Sequence, residues 1–336
     1  MALTEFELID RYFTGIGCAR PDAAAPAATA PYATAPDAVA LGVGDDCALL
    51  EPPPGQQLAL SVDTLVADVH FPAGGDPSAI AQRALRVNLS DLAAMGATPL
   101  AFTLALTLPA AEATWLEAFS AGLRDAADEF GIALVGGDTT RGPTAVITLQ
   151  VLGLVPQGQA LVRAGARPGD AVLVSGTLGD ARAALAVLDL QPAQLDADRR
   201  HWLERYHRPS PRLALGAALR GLASAAIDVS DGLAADLGHI LARSGVGASI
   251  DPARLPLSKA LQAHPDAREF ALRGGDDYEL CFAAPPSALP AVWAAAAAAG
   301  VVVTEIVTIT HEPGLRARGD DGADVLLAGD GGYRHF

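Results

Sequence analysis

The segment FTLALTL alternates without a break: Phe102, Leu104, Leu106 and Leu108 are apolar, and Thr103, Ala105 and Thr107 between them are small or polar. A period of two puts the large side chains on one face, so the segment predicts a half-buried β-strand. Short apolar runs recur as VALGV, LALSV, IALVGG and AVITLQVLGLV, and stretches of longer period lie between them. In one such stretch Leu116, Phe119, Leu123 and Phe130 fall on one helical stripe, and Gly131 follows where a left-handed cap belongs. A second stripe, Leu233, Leu237, Ile240 and Leu241, lies in VSDGLAADLGHILARSG, with Ser230 in the place of an N-cap. Strands alternating with helices predict an α/β (α+β) architecture. At 336 residues the chain has the length of two domains. The loop VPQGQALVRAGARPGD leads into AVLVSG, read as the opening strand of the second, so the expected division is 1–157 and 158–336. AVWAAAAAAG reads as an alanine-rich helix, and GDDGADVLLAGDGGY as a hairpin turned by glycine and aspartate. Residues 21–38, PDAAAPAATAPYATAPDA, have no hydrophobic period and read as a surface insertion.

Charge narrows the chemistry. A formal net charge of −16 disfavours nucleic acid and anionic membranes as partners, because both are held through Lys and Arg contacts to phosphate. Lys259 is the only lysine, and ARLPLS before it has no glycine, so a GxxxxGK[ST] phosphate loop is excluded. The lysine contact of a protein kinase is excluded with it. Cys18, Cys47 and Cys281 are odd in number and far apart, which predicts reduced thiols. No apolar run reaches about 18 residues and the start, MALTEFELIDRYF, lacks a basic leader, so the expected location is cytoplasmic.

The aspartates are placed unusually. They follow apolar runs at five points: Asp45 and Asp46 in GVGDD, Asp63 in LALSVD, Asp138 in IALVGGD, Asp228 and Asp231 in AAIDVSDG, and Asp276 and Asp277 in RGGDDYEL. Aspartate is depleted in strands and glycine lets a ligand approach the backbone, so strand-terminal carboxylates beside glycine point to magnesium and phosphate. Each Asp-Gly pair is equally readable as a turn. An acidic chain that binds phosphates needs divalent cations between the charges. The start of the helix after Ser230 and Asp231 offers N–H groups to a phosphate, or is simply capped. Asn88 and Asp91, three apart, share a helix face, where Asp91 is either a cation ligand or a solvated rim residue. His70, in DVHF, reads from spacing alone as a surface histidine. RGGDDYEL is briefly similar to the GGDEF-type loop of diguanylate cyclases, but nothing around it follows that domain.

Taken in order, GVGDDCALL, SVDTLVADVHF, VNLSDLAAMGATPL, GGDTTRG, IDVSDGL and GGDDYELCF resemble the thiamine-monophosphate kinases, over nearly the whole chain. That family belongs to an ATP-dependent group with aminoimidazole ribonucleotide synthetase and selenophosphate synthetase. The resemblance implies the two-domain fold of that group, with the N-terminal sheet completing a β-barrel across a homodimer. It implies phosphorylation of thiamine monophosphate by ATP, with several Mg²⁺ ions, and admits K⁺ as a further cation. The implied magnesium ligands are Asp46, Ser61, Val62 through its backbone, Asp63, Asp91, Asp138, Asp228 and Asp231. ATP contacts would fall on Gly137, Asp138, Arg163 and Ser230, and thiamine-side contacts on His70, Asp276 and Tyr333. The chain departs from the family at Asp276, where glutamate is common, and in the 21–38 insertion. Two other readings stand beside this one. One is a sister synthetase of the same fold, of the selenophosphate or aminoimidazole ribonucleotide type; Cys18 lacks the neighbouring lysine and glycine-rich loop that selenophosphate chemistry would favour. The other is a non-catalytic protein that binds divalent cations.

Overall fold

The computed structural model describes residues 5–17, 38–318 and 324–327. The chain divides into two compact units, Met1–Leu92 with Ala97–Gly158, and Ala93–Gly96 with Gln159–Phe336. The first contains helix α1 (Glu5–Leu8), continued by a π-helical turn, then strands β1 (Val39–Leu41), β2 (Leu49–Leu50) and β3 (Gln56–Val66). Helix α2 (Pro77–Ala94), β4 (Thr98–Leu108), α3 (Ala113–Phe130), β5 (Ala133–Arg141) and β6 (Val146–Pro156) follow. The sheet order is β3-β6-β4-β5, antiparallel except for the parallel pair β4 and β5.

The alternation in β4 does what its period requires: Phe102, Leu104, Leu106 and Leu108 are buried while Ala105 is exposed. Leu116, Phe119 and Leu123 of α3 are fully buried, and Gly131 ends the helix in a left-handed conformation at φ 62°. Each such side chain contributes about 1.5–3 kcal/mol by leaving water. Helix α2 is buried so completely that Arg86 lies inside. There its guanidinium donates to Gln82 (3.0 Å), pairs with Glu129 and lies 4.9 Å from the Phe130 ring centroid. A buried cation needs that kind of compensation. On β3 one face, Ala59, Ser61, Asp63 and Leu65, is partly or wholly covered, and the other exposes Leu60 (57%) and Val62 (58%). The four-stranded sheet is open, with β3 and β5 at its edges.

The second unit contains β7 (Ala171–Ser175), α4 (Asp180–Ala184), α5 (Ala197–His207), α6 (Leu213–Ala218), β8 (Ala225–Asp228), α7 (Leu233–Ser244) and β9 (Gly247–Ile250). It continues with α8 (Ala267–Arg273), β10 (Leu280–Ala284), α9 (Leu289–Ala298), β11 (Val303–Thr308), β12 (Gly314–Arg318) and β13 (Asp324–Leu326). An antiparallel sheet has the order β11-β7-β10-β8, and a second the order β13-β12-β9 with β12 parallel to β9. Every residue of β7, β8 and β10 is buried, which is why these strands read as continuous apolar runs. The α7 stripe of Leu233, Leu237, Ile240 and Leu241 packs in the same core as Val172, Ile227 and Cys281.

Of the 21–38 stretch only Ala38 is among the described residues, buried with Leu100, Ala133 and Leu152. Cys18 and Tyr333 lie outside the described residues. Cys47 is an exposed free thiol and Cys281 a buried one. Among the described residues no helix is long and apolar enough to cross a membrane.

Candidate functional site

In the first unit Ser61, Asp63, Asn88 and Asp91 gather where β3 faces α2. Ser61 and Asp63 lie two apart on the covered face of β3, and Asn88 and Asp91 three apart on α2. The Ser61 hydroxyl donates to Asp91 Oδ2 at 2.5 Å, and the Asp63 backbone N–H donates to Asn88 Oδ1 at 3.0 Å. Asn88 is fully buried, and its Nδ2 donates to the Ala84 carbonyl of its own helix (2.9 Å), which turns Oδ1 toward the strand. Burial, reinforced by the Asp91 carboxylate, lifts the Asp63 carboxyl from 3.8 to about 6. A carboxyl group so strained toward its neutral form is one that a cation would restore to charge.

The loop after β3 is tightly turned. His70 Nδ1 accepts the Val66 N–H at 3.0 Å, so the neutral ring carries its proton on Nε2. Asp68, left-handed at φ 61°, caps the same turn by accepting the Ala73 N–H at 2.9 Å. Across the sheet, Asp63, Leu149, Leu104 and Gly137 are successive partners in register. Gly137 is pressed against β4: at φ +154° a Cβ there would lie 1.9 Å from the Leu104 carbonyl oxygen. Asp138, next to it, is exposed. Three strand spacings of about 4.8 Å put the backbones of Asp63 and Gly137 about 14 Å apart, so Asp63 and Asp138 lie on opposite edge strands of the sheet. Neither ends its strand: β3 runs on to Val66 and β5 to Arg141. Asp45 and Asp46 are exposed between β1 and β2.

In the second unit two loops are laced together. The Asp276 N–H donates to the Ser230 carbonyl, the Tyr278 N–H to that of Val229, and the Val229 N–H to that of Glu279, each at 2.8 Å. Asp228 is buried at the end of β8, opposite Leu280. Gly275 allows the approach, since a Cβ would meet the Ser230 carbonyl oxygen at 2.5 Å. Asp231, Ser230 and Asp276 therefore occupy one end of this sheet, while Arg163 is exposed on the loop before β7.

Ser230 is not the N-cap of α7. Gly232 holds that position at φ 112°, and the N–H groups of Ser230, Asp231 and Gly232 all donate to Asp236 Oδ2, each at 3.1 Å. These three amides are thus engaged by a side chain of the protein and are not free for phosphate. Burial, then the Asp231 charge, raises the Asp236 carboxyl to about 7, against the pull of the three amides. Asp236 was readable as an acidic residue breaking the apolar stripe between Leu233 and Leu237. Its role was not, because a bond back to residues 230–232 has no periodic signature.

Among the described residues no three His, Cys, Asp or Glu side chains gather closely enough to cage a metal ion. Mg²⁺ does not require a cage: it is usually held by one or two carboxylates with waters and substrate phosphates completing the octahedron. The Asp63 and Asp91 pair with the Ser61 hydroxyl is a hard-oxygen donor set of that kind, and a divalent ion would relieve the burial and like charge that push the Asp63 carboxyl up.

Residues 44–155 match the family AIR synthase related protein, N-terminal domain, and residues 167–320 its C-terminal domain. The chain is 48% identical to the thiamine-monophosphate kinase of Escherichia coli (strain K12) over 340 residues, covering 100% of this chain and 99% of that one. Among solved structures it is similar to the thiamine-monophosphate kinase of Stenotrophomonas maltophilia K279a, at TM-score 0.80 and 48% identity over 85% of this chain and 93% of that one. It is also similar to AaThiL in complex with AMPPCP and TMP, at TM-score 0.75 and 32% identity over 84% and 89% of the two chains. Both halves of the fold, the strand-to-helix carboxylates and full-length identity thus converge, and the chain belongs to the thiamine-monophosphate kinase family.

Proposed function

We propose that this chain transfers the γ-phosphoryl group of ATP to the phosphate of thiamine monophosphate, forming thiamine diphosphate and ADP. The observation that carries this reading is the Asp63 and Asp91 pair on β3 and α2, where burial and like charge hold a carboxyl near 6 in a family whose members are thiamine-monophosphate kinases. An oxygen of the monophosphate attacks the γ-phosphorus in line, its bond to phosphorus forms as the β,γ-bridging bond breaks, and the electron pair leaves on ADP. That oxygen is already ionised near neutral pH, so no side chain is needed as a strong base.

Magnesium, when bound, supplies charge neutralisation between the phosphates and the acidic protein. Asp46, Ser61, the Val62 carbonyl, Asp63, Asp91, Asp138, Asp228 and Asp231 are the proposed ligands, with K⁺ as an additional cation. Gly137, Asp138, Arg163 and Ser230 would contact ATP, the glycine through its backbone, since the place of a Cβ there is taken by the Leu104 carbonyl oxygen of β4. His70, with its proton on Nε2, would donate to the substrate, and Asp276 and Tyr333 would hold its thiamine part. Residues 1–157 would form the ATP- and magnesium-binding and dimerisation domain, and residues 158–336 the C-terminal α/β domain. The open sheet supports a homodimer that closes a barrel, since its β3 edge exposes Leu60 and Val62.

Purified protein incubated with Mg-ATP and thiamine monophosphate, with free thiamine in parallel, tests the assignment by chromatography of the thiamine esters. Thiamine diphosphate formed from the monophosphate is the expected result. Product from free thiamine alone would refute it.

A further inference from the structure

Among the described residues three that are not glycine have a positive φ: Asp68, Asp276 (70°) and Tyr278 (50°). Left-handed backbone is disfavoured by any Cβ and persists only where the surroundings over-determine it. Two of the three fall in one short bend, on either side of Asp277. The surroundings of that bend are unusually firm. Both oxygens of the buried Asp277 carboxylate accept the Gly179 N–H at 2.9 Å. Beyond Tyr278, Glu279 is fully buried and held by two arginines and a hydroxyl. Arg212 forks onto it, Nε to Oε2 and Nη2 to Oε1, both at 2.6 Å. Arg205 Nη2 donates to Oε1 at 2.8 Å and also to the Asp277 carbonyl at 3.3 Å.

Ser175 at the end of β7 donates to Glu279 Oε2 at 2.6 Å and accepts the Leu280 N–H at 2.8 Å. Gly176 completes the enclosure, because a Cβ there would lie 2.1 Å from Glu279 Oε1. One carboxylate needs a single well-placed cation to be tolerated inside a protein. Two cations, a hydroxyl and a glycine that leaves room for the carboxylate make a rigid post at one end of the bend. At the other end the Tyr278 hydroxyl donates to Asp276 Oδ1 at 3.1 Å, orienting that carboxylate.

We propose that Glu279 and Arg212 are positioning residues for substrate: they hold the bend in its left-handed form and thereby set the Asp276 carboxylate against the thiamine part of thiamine monophosphate. Asp276 has a single methylene before its carboxylate, so its reach depends on where the backbone puts it. The inference deepens the proposed activity and rests on it.

The test is steady-state kinetics of wild type, Glu279→Gln, Arg212→Lys, Asp276→Asn and the double variant Glu279→Gln/Asp276→Asn, with thermal unfolding of each. Wild-type turnover of thiamine monophosphate checks the activity itself; without it, activity and inference fall together. Given turnover, Glu279→Gln should raise KM for thiamine monophosphate about tenfold or more while kcat stays within about threefold, since a displaced contact weakens binding before it touches the transferring phosphoryl group. Arg212→Lys keeps the charge but loses the fork, and should raise the same KM by less. The double variant should bind no worse than Asp276→Asn alone, because Glu279 acts through Asp276. An unchanged KM in folded Glu279→Gln, or multiplicative losses in the double variant, would overturn the inference while leaving the activity in place. So would failure of both Glu279→Gln and Arg212→Lys to fold, which would make the cluster plain scaffold.

Discussion

Replacing Asp63 by asparagine should make the metal-free protein more stable and the enzyme inactive. The folded protein raises the Asp63 carboxyl from 3.8 to about 6, first through burial and then through Asp91. About two pH units at ~1.4 kcal/mol each amount to about 3 kcal/mol against the ionised form. Partial exposure of the side chain screens some of this, which leaves about 1–2 kcal/mol. Asparagine keeps the shape and removes the charge, and the backbone bond from residue 63 to Asn88 is untouched. The sign follows from linkage. Below about pH 4 the group is protonated in both folded and unfolded chains, and the variant gains nothing. Between about 4 and 6 the unfolded chain ionises first, so the wild type loses stability as pH rises; above about 6 the gap is constant.

Urea and thermal unfolding in EDTA at pH 4, 6 and 8 measure it, with an expected Tm difference of a few degrees at pH 8, since ~1 kcal/mol moves Tm by about 2–4 °C at this domain size. Magnesium with an ATP analogue should then stabilise the wild type and not the variant, narrowing the gap by binding the folded form. A variant no more stable than wild type at pH 8, or a gap largest at pH 4, would refute the reasoning.

Asp236→Ala should cost about 1–3 kcal/mol in the same denaturation assay, because the amides of residues 230–232 lose their common acceptor; unchanged stability would show that water or another group replaces it without loss. Leu60→Arg places a charge on the exposed face of β3. Sedimentation velocity should find the wild type dimeric and this variant monomeric, and equal masses would remove β3 from the interface.

Much of the scaffold was legible because it rests on short-range periodicity. The alternation in FTLALTL and the stripes of α3 and α7 depend on neighbours two to four residues away, and burial followed both patterns. The shared face of Asn88 and Asp91 was legible for the same reason. The expectation that the aspartates end their strands failed for Asp63 and Asp138. A ladder is built from backbone groups, so β3 and β6 stay paired for eleven residues however polar the side chains become. Ser230 was misplaced as a cap because local preference favours a hydroxyl at a helix start, whereas a buried carboxylate within reach of three amides is the stronger acceptor.

Composition and order of residues by themselves excluded a lysine phosphate loop, led to the expectation that carboxylates gather around cations, and set the alternation of strands and helices. Only the tertiary structure decided which carboxylates meet. Ser61 finds Asp91 across thirty positions and Arg212 finds Glu279 across sixty-seven. Such pairs depend on sheet register and on where loops close, and neither leaves a repeating mark on a linear string of residues.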